Sequence, residues 1–292
     1  MTASQTLFLV FVDLGYAFLV AMGAVWYLRT VRVPRPPVGV VNSRDIAVMM
    51  GFVLALPFFY LALPGPALPV LLALVFAGGL TVGYQPVVRS GRLRWTLILA
   101  LLGIDLTGFL VLGANSPVYW LANSAIVGLV VVSATNLNVQ GGVRLAHIAW
   151  FVLFLAGYDL LFATVFPITQ RLAAAIQGYP FAPSAGLRIG ELGAVIGMGD
   201  LLAYALFTAA AYKAYGTAGI RTGLAVVVVF GATLPAMLPV LLPAAPTVVP
   251  AQVFFGPAAF LGYRWLRRRG PERRMSDLRR AEITSGQTVS SG

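Results

Sequence analysis

Residues 145–166 read LAHIAWFVLFLAGYDLLFATVF. At 1.5 Å of rise per residue, this run makes a helix of roughly 30 Å, the thickness of a bilayer's hydrocarbon core. One aspartate interrupts it and no Lys or Arg lies inside it. A helix apolar on all sides belongs in lipid or in the middle of a large bundle. The rest of the chain repeats the pattern. Of 292 residues, 59% are hydrophobic and only 10% charged, with mean hydropathy +0.88. A soluble domain carries about 25% charge, so water-soluble globules, coiled coils and disordered chains are excluded. Barrel strands run about ten residues with alternating polarity, and the runs here are longer and unbroken. The fold class expected is an all-α polytopic membrane protein.

Runs of comparable apolarity fall at 7–28, 46–63, 67–83, 95–113, 118–134, 145–166, 190–212, 222–243 and 250–266, which predicts nine spans. Pro64-Gly65-Pro66 forces a tight turn between the second and third. The first has no basic residues before it and is longer than a signal peptide's apolar core, so it reads as a retained anchor.

The 20 Lys+Arg outnumber nine Asp+Glu, a net charge of +11. Their positions alternate with the spans. Arg29, Arg32, Arg35 and Arg44 follow the first span; Arg89, Arg92 and Arg94 the third; Arg144 the fifth; Lys213 and Arg221 the seventh. Arg264, Arg267, Arg268, Arg269, Arg273, Arg274, Arg279 and Arg280 close the chain, so 18 of the 20 share one face. Only Arg171 and Arg188 fall on the other. The positive-inside rule then puts the N-terminus outside and the C-terminus in the cytoplasm. The division expected is a bundle over 1–266 and a basic, disordered cytoplasmic tail over 267–292. That tail reads as a site for anionic lipid headgroups, not nucleic acid. Its Ser/Thr/Gly-rich end after Ile283 reads as disordered.

The absence of cysteine and the single histidine, His147, exclude thiol catalysis, Cys-ligated metals and sites needing several imidazoles. No cofactor is expected. Four carboxylates lie inside spans without a basic partner: Asp13, Asp105, Asp159 and Asp200. An ionisable group in a span is a functional hypothesis, and a carboxyl without a cation stays protonated or shares a proton with another carboxyl. Counting along the helices puts Asp159 roughly 20 Å from one surface and Asp200 roughly 15 Å from the other, nearly level on consecutive antiparallel helices. Asp105 is also near mid-membrane. Asp13 and Glu191 read as interfacial, and His147 as a helix-end residue beside Arg144.

Local sequence separates the candidates. Asp159 sits in Gly157-Tyr158-Asp159, and Asp200 ends Gly197-Met198-Gly199-Asp200. Glycines one turn before a buried acid let a second backbone or a substrate strand approach. Pro250-Ala251-Gln252 then opens the last span, ahead of Phe254-Phe255-Gly256-Pro257-Ala258. Because the residue before a proline avoids α geometry, this start is expected to offer a strand-like edge. Prolines at 235, 239, 243, 246 and 250 should free carbonyls along the same side, in a kinked helix or a gate.

Tyr-Asp, then Gly-x-Gly-Asp, then a Pro-Ala pair opening the ninth helix resemble the presenilin and signal peptide peptidase family of intramembrane aspartyl proteases, over spans six to nine. GMGDLLAY is similar to the presenilin form of the motif and PAQVFFGPA to the signal peptide peptidase form. The charge-derived orientation matches the signal peptide peptidase branch. Gln252 stands where the family has Leu. The second Pro-Ala pair, Pro235-Ala236-Met237, is in the wrong helix for the motif. The loop at 168–189 is far shorter than presenilin's, as in a short prokaryotic or archaeal-like member without a self-cleaved insert. The resemblance implies a presenilin-like nine-helix bundle in the plasma membrane if prokaryotic. It implies Asp159 and Asp200 as the catalytic pair, and Tyr158, Gly197, Gly199, Pro250, Ala251 and Gln252 as substrate-binding or supporting residues. Substrates would be transmembrane helical peptides, in type II orientation.

Two carboxyls that share a proton supply both a base and an acid for peptide hydrolysis. Tyr158 and Tyr204 either orient them or pack. A serine-type intramembrane protease would need its histidine deep in the bundle, and a metal type would need absent ligands. A prepilin-type peptidase typically has a Lys soon after its Gly-x-Gly-Asp, where Leu201-Leu202-Ala203 stand here. The alternative from another class is a proton-coupled transporter with Asp13, Asp105, Asp159 and Asp200 as a relay. It would call for broken helices in two matching halves, which the sequence does not display.

Overall fold

The computed structural model describes residues 3–33, 43–164, 171, 176, 178–189, 192–241 and 250–278. Arg35, Glu191, Pro243, Pro246, Arg279, Arg280 and the end of the tail, all used above, lie outside these. Six helices open the chain: α1 (Ala3–Thr30), α2 (Ser43–Ala62), α3 (Ala67–Tyr84), α4 (Gly91–Leu112), α5 (Pro117–Gln140) and α6 (Leu145–Thr164). A hairpin of β1 (Ser184–Ile189) and β2 (Leu192–Gly197) follows, then α7 (Met198–Tyr215) and α8 (Thr217–Val226). The rod of α8 continues through a π-helical stretch, Val227–Thr233, into α9 (Leu234–Leu241), and α10 (Gln252–Arg267) comes last. Seven of these helical rods are long and apolar enough to cross a membrane. α7, with Asp200, Thr208 and Lys213 along its 18 residues, and α10, with 16, are not among them.

The axis of the bundle is α7. Residues from Ala203 to Ala214 are buried without a break, half of them alanines. Small side chains let neighbouring helices come close, and α1, α5, α6 and α8 surround it. At Gly219 of α8 a Cβ would run into the Ala211 carbonyl, so that crossing tolerates no side chain. Because α7 faces protein rather than lipid, it needs less apolarity than a span at the rim.

Polar side chains tie α5 to α1. Asn136 Nδ2 donates to Ala24 O (3.1 Å), and Gln140 Nε2 to Val31 O (2.9 Å) while its Oε1 accepts from Val33 N (3.1 Å). These bonds explain why α5 runs to Gln140, past the end at 134 set by apolarity alone: the polar turn is buried, with partners inside the bundle.

Two sequence expectations are overturned. The segment expected as a helix from 190 is a strand up to Gly197, in an antiparallel hairpin running from Ser184↔Gly197 to Ile189↔Leu192. Glycines at 190, 193, 197 and 199 would each cost a helix about 1 kcal/mol relative to Ala. A short apolar run between glycines is as compatible with a strand as with a helix. Asp200 therefore lies in the first turn of its helix, not midway along it. The second correction concerns the tail. Residues 268–278 are not a free arm: they fold back on the bundle, and Leu278 is buried.

Candidate active site

Three chain ends meet around Asp159 and Asp200. Asp159 comes near the end of α6, and Asp200 from the first turn of α7, where Gly197 is the N-cap with extended backbone (φ −62, ψ 143). The start of α7 is anchored from behind by Met198 N donating to Pro183 O (2.9 Å). The carboxyls are close enough for the charge of Asp200 to act directly on Asp159. Both residues are half-buried.

The third end is the start of α10. Ala251, the N-cap, has α geometry (φ −62, ψ −32), and Gln252 is already helical. This corrects the expected strand-like edge at Pro250-Ala251-Gln252: the proline initiates a helix and presents helix-terminal amides. The first N–H groups of a helix lack intrahelical acceptors, and Pro250 has none to offer. The backbone amide of Gln252 lies beside Asp159, and its side-chain Nε2 donates to Asp200 Oδ1 at 2.7 Å. Gln252, 3% exposed, thus stands between the two carboxyls, bonded to Asp200 and beside Asp159. The residue that departs from the family pattern joins the pair.

α10 is held by close packing on α6. A Cβ at Gly256 would fall against the Val152 carbonyl oxygen and 2.7 Å from the Ala156 Cβ. Beside the carboxyls the opposite holds. A Cβ at Gly157 or Gly199 would meet nothing within 4 Å, and both residues are exposed. Among the described residues neither glycine serves a close contact, and each leaves open space next to an aspartate.

The other candidates take different places. Tyr158 sets its ring edge-on to Phe162, with centroids 4.5 Å apart. The Tyr204 hydroxyl donates to Gly231 O at 2.7 Å and not to an aspartate. Pro235, four residues after Gly231, has no N–H for that carbonyl, so Tyr204 fills a vacancy that the proline creates. Asp13 is near enough for its charge, with those of Asp159 and Asp200, to act on Tyr204, and its Oδ1 is buried. His147 sits in the first turn of α6 in the field of Arg144, Glu272 and Lys213. Asp105, fully buried, accepts from Phe181 N (3.2 Å).

The sequence reading missed the residues that hold the segment leading to Asp200. Phe181 carries a left-handed φ of 62°, and around it Asn123 Nδ2 donates to Ala182 O (3.0 Å) and Ser184 O (2.7 Å). The Ser124 hydroxyl donates to Gly186 O (3.0 Å) and accepts from Gly186 N (2.9 Å). The available signal was a pair of polar residues, Asn123-Ser124, inside an otherwise apolar span. Among the described residues no group of three or more His, Cys, Asp or Glu could hold a metal ion. Compared with protein-family models and with curated proteins, the chain matches none.

Proposed function

We propose that this protein is an intramembrane aspartyl endopeptidase, hydrolysing peptide bonds within transmembrane segments of membrane proteins or remnant signal peptides. The observation that carries the reading is the convergence at Gln252 of Asp159 and Asp200, two acids on separate helices with no cation between them among the described residues. Like charges this close do not both ionise readily, so the pair holds one proton and titrates as a unit. The ionised member takes a proton from water as that water attacks the scissile carbonyl. The protonated member gives its proton to the carbonyl oxygen, and the C–N bond breaks as the amine is protonated. The open space at Gly157 and Gly199 suits an unwound stretch of substrate backbone beside the carboxyls.

The finer features of the proposal are nine spans, an N-terminus outside, substrates in type II orientation and anionic lipid at the basic end, with the plasma membrane as location if the source is prokaryotic. Its family would be that of presenilin and signal peptide peptidase, on the motifs at Asp159, Asp200 and Pro250. The test is cleavage of a labelled transmembrane peptide by purified protein in liposomes. Activity lost in both Asp159→Ala and Asp200→Ala supports the proposal. An intact peptide, with proton-dependent solute uptake into the same liposomes, overturns it in favour of a transporter.

A further inference from the structure

We propose that residues 268–278 form a strap in which Glu272 and Arg273 position the helices bearing Asp159 and Asp200; this rests on reading those aspartates as the reacting pair. The first amides of α6 have no acceptors in their own helix, and the last carbonyls of α7 run out of helical donors after Tyr212 O, which accepts from Gly216 N. Glu272 meets the first need: its Oε2 accepts from Leu145 N (3.1 Å) and its Oε1 from Ala146 N (3.0 Å). Arg273 meets the second. Its Nε donates to Ala214 O (3.2 Å), its Nη2 to Tyr212 O (3.3 Å) and its backbone N–H to Ala214 O (3.2 Å). The signs also match, an anion at a helix N-terminus and a cation at a C-terminus.

The neighbourhood fixes the strap from several sides. Lys213, 3% exposed, donates to Val139 O (3.3 Å) and Val143 O at the end of α5, and the charge of Glu272 acts on it. The Tyr215 hydroxyl donates to Gly270 O (3.2 Å), and Leu278 is buried. The strap follows directly from α10, whose first residue is bonded to Asp200 and lies beside Asp159. One continuous segment, 252–273, therefore grips both helices twice: at the aspartates, and at the ends some 18–21 Å away along each helix axis. Two rods tied at two points cannot slide past each other without breaking one tie. A misplacement of 1 Å at a reacting pair is worth about a hundredfold in rate.

The experiment uses the full chain in liposomes, with peptide cleavage and amide hydrogen exchange measured on the same preparations. Glu272→Ala and Arg273→Ala should each lower kcat about 10- to 100-fold and leave KM within about twofold, because positioning is lost and substrate binding is not. Glu272→Gln, which keeps one acceptor oxygen, should recover part of the loss. In Glu272→Ala, exchange should rise in peptides covering 145–150 and stay unchanged across 117–135. Wild-type kcat in both alanine variants overturns the strap, as does a loss that Glu272→Gln does not relieve and that comes with faster exchange throughout the bundle. If the wild-type protein leaves the peptide intact, the protease reading falls. Exchange then decides the strap alone: an unchanged 145–150 in Glu272→Ala refutes it.

Discussion

Adding one methyl group at Gly256 should disable the site without touching a carboxyl. The Cβ of Gly256→Ala would stand 2.7 Å from the Ala156 Cβ and against the Val152 carbonyl, where ordinary contact begins at 3.4 Å. Neither obstacle is the tip of a flexible side chain, so α10 must withdraw from α6 by about 0.7 Å or more. Gln252 lies one turn before Gly256 on the same face and moves with it. Its 2.7 Å bond to Asp200 would stretch to roughly 3.4 Å, beyond the usual N–H···O range of about 2.7–3.2 Å. Overpacking of this kind costs about 1–3 kcal/mol of stability, which leaves a bundle of this size folded, while the displacement at the pair costs up to about a hundredfold in kcat. The assay is steady-state cleavage of a transmembrane peptide alongside thermal unfolding in the same lipid. Because the loss acts through Gln252, adding Gln252→Leu to Gly256→Ala should cost little more. A Gly256→Ala protein that cleaves within about twofold of wild type, or a double variant whose losses multiply in full, would refute the reasoning.

Gln252→Leu alone removes a hydrogen bond to a carboxylate worth about 1.5–3 kcal/mol, so cleavage should fall about 10- to 100-fold at fixed pH. That bond favours the ionised carboxylate, so the loss should be largest at low pH and shrink as pH rises; a rate–pH profile lowered uniformly would count against it. Asp105→Asn keeps a carbonyl oxygen to accept from Phe181 N and should retain cleavage, whereas Asp105→Leu, which leaves that buried amide unpaired, should lower activity and thermal stability together. A proton relay through Asp105 makes the opposite demand, and complete loss of activity in a stably folded Asp105→Asn protein would favour it.

What could be read from the sequence, and what could not, divides along a physical line. A run of apolar residues reports its environment locally, so the helices from α1 to α6 are visible one at a time from length and hydropathy. The aspartates stand out for the same reason, since each is an isolated charge in an apolar run. Properties that belong to two segments at once were hidden. The hairpin at 184–197 exists because Asn123 and Ser124, far away in sequence, accept and donate to its backbone; hydropathy at 190–197 describes strand and helix equally well. Gln252 reads as a failed motif match until α10 is laid on α6 and its amide falls between two acids. Glu272 and Arg273 read as part of a basic tail, because nothing nearby in sequence reveals that the amides at Leu145 and the carbonyl at Ala214 need partners. For the hairpin and the strap the deciding groups are backbone amides and carbonyls whose own element supplies no partner. Backbone groups carry no residue identity, so no pattern of side chains announces them. In a bundle whose side chains are mostly apolar, those unpaired ends are nonetheless where polar side chains find their bonding partners, and the candidate site lies where three such ends converge.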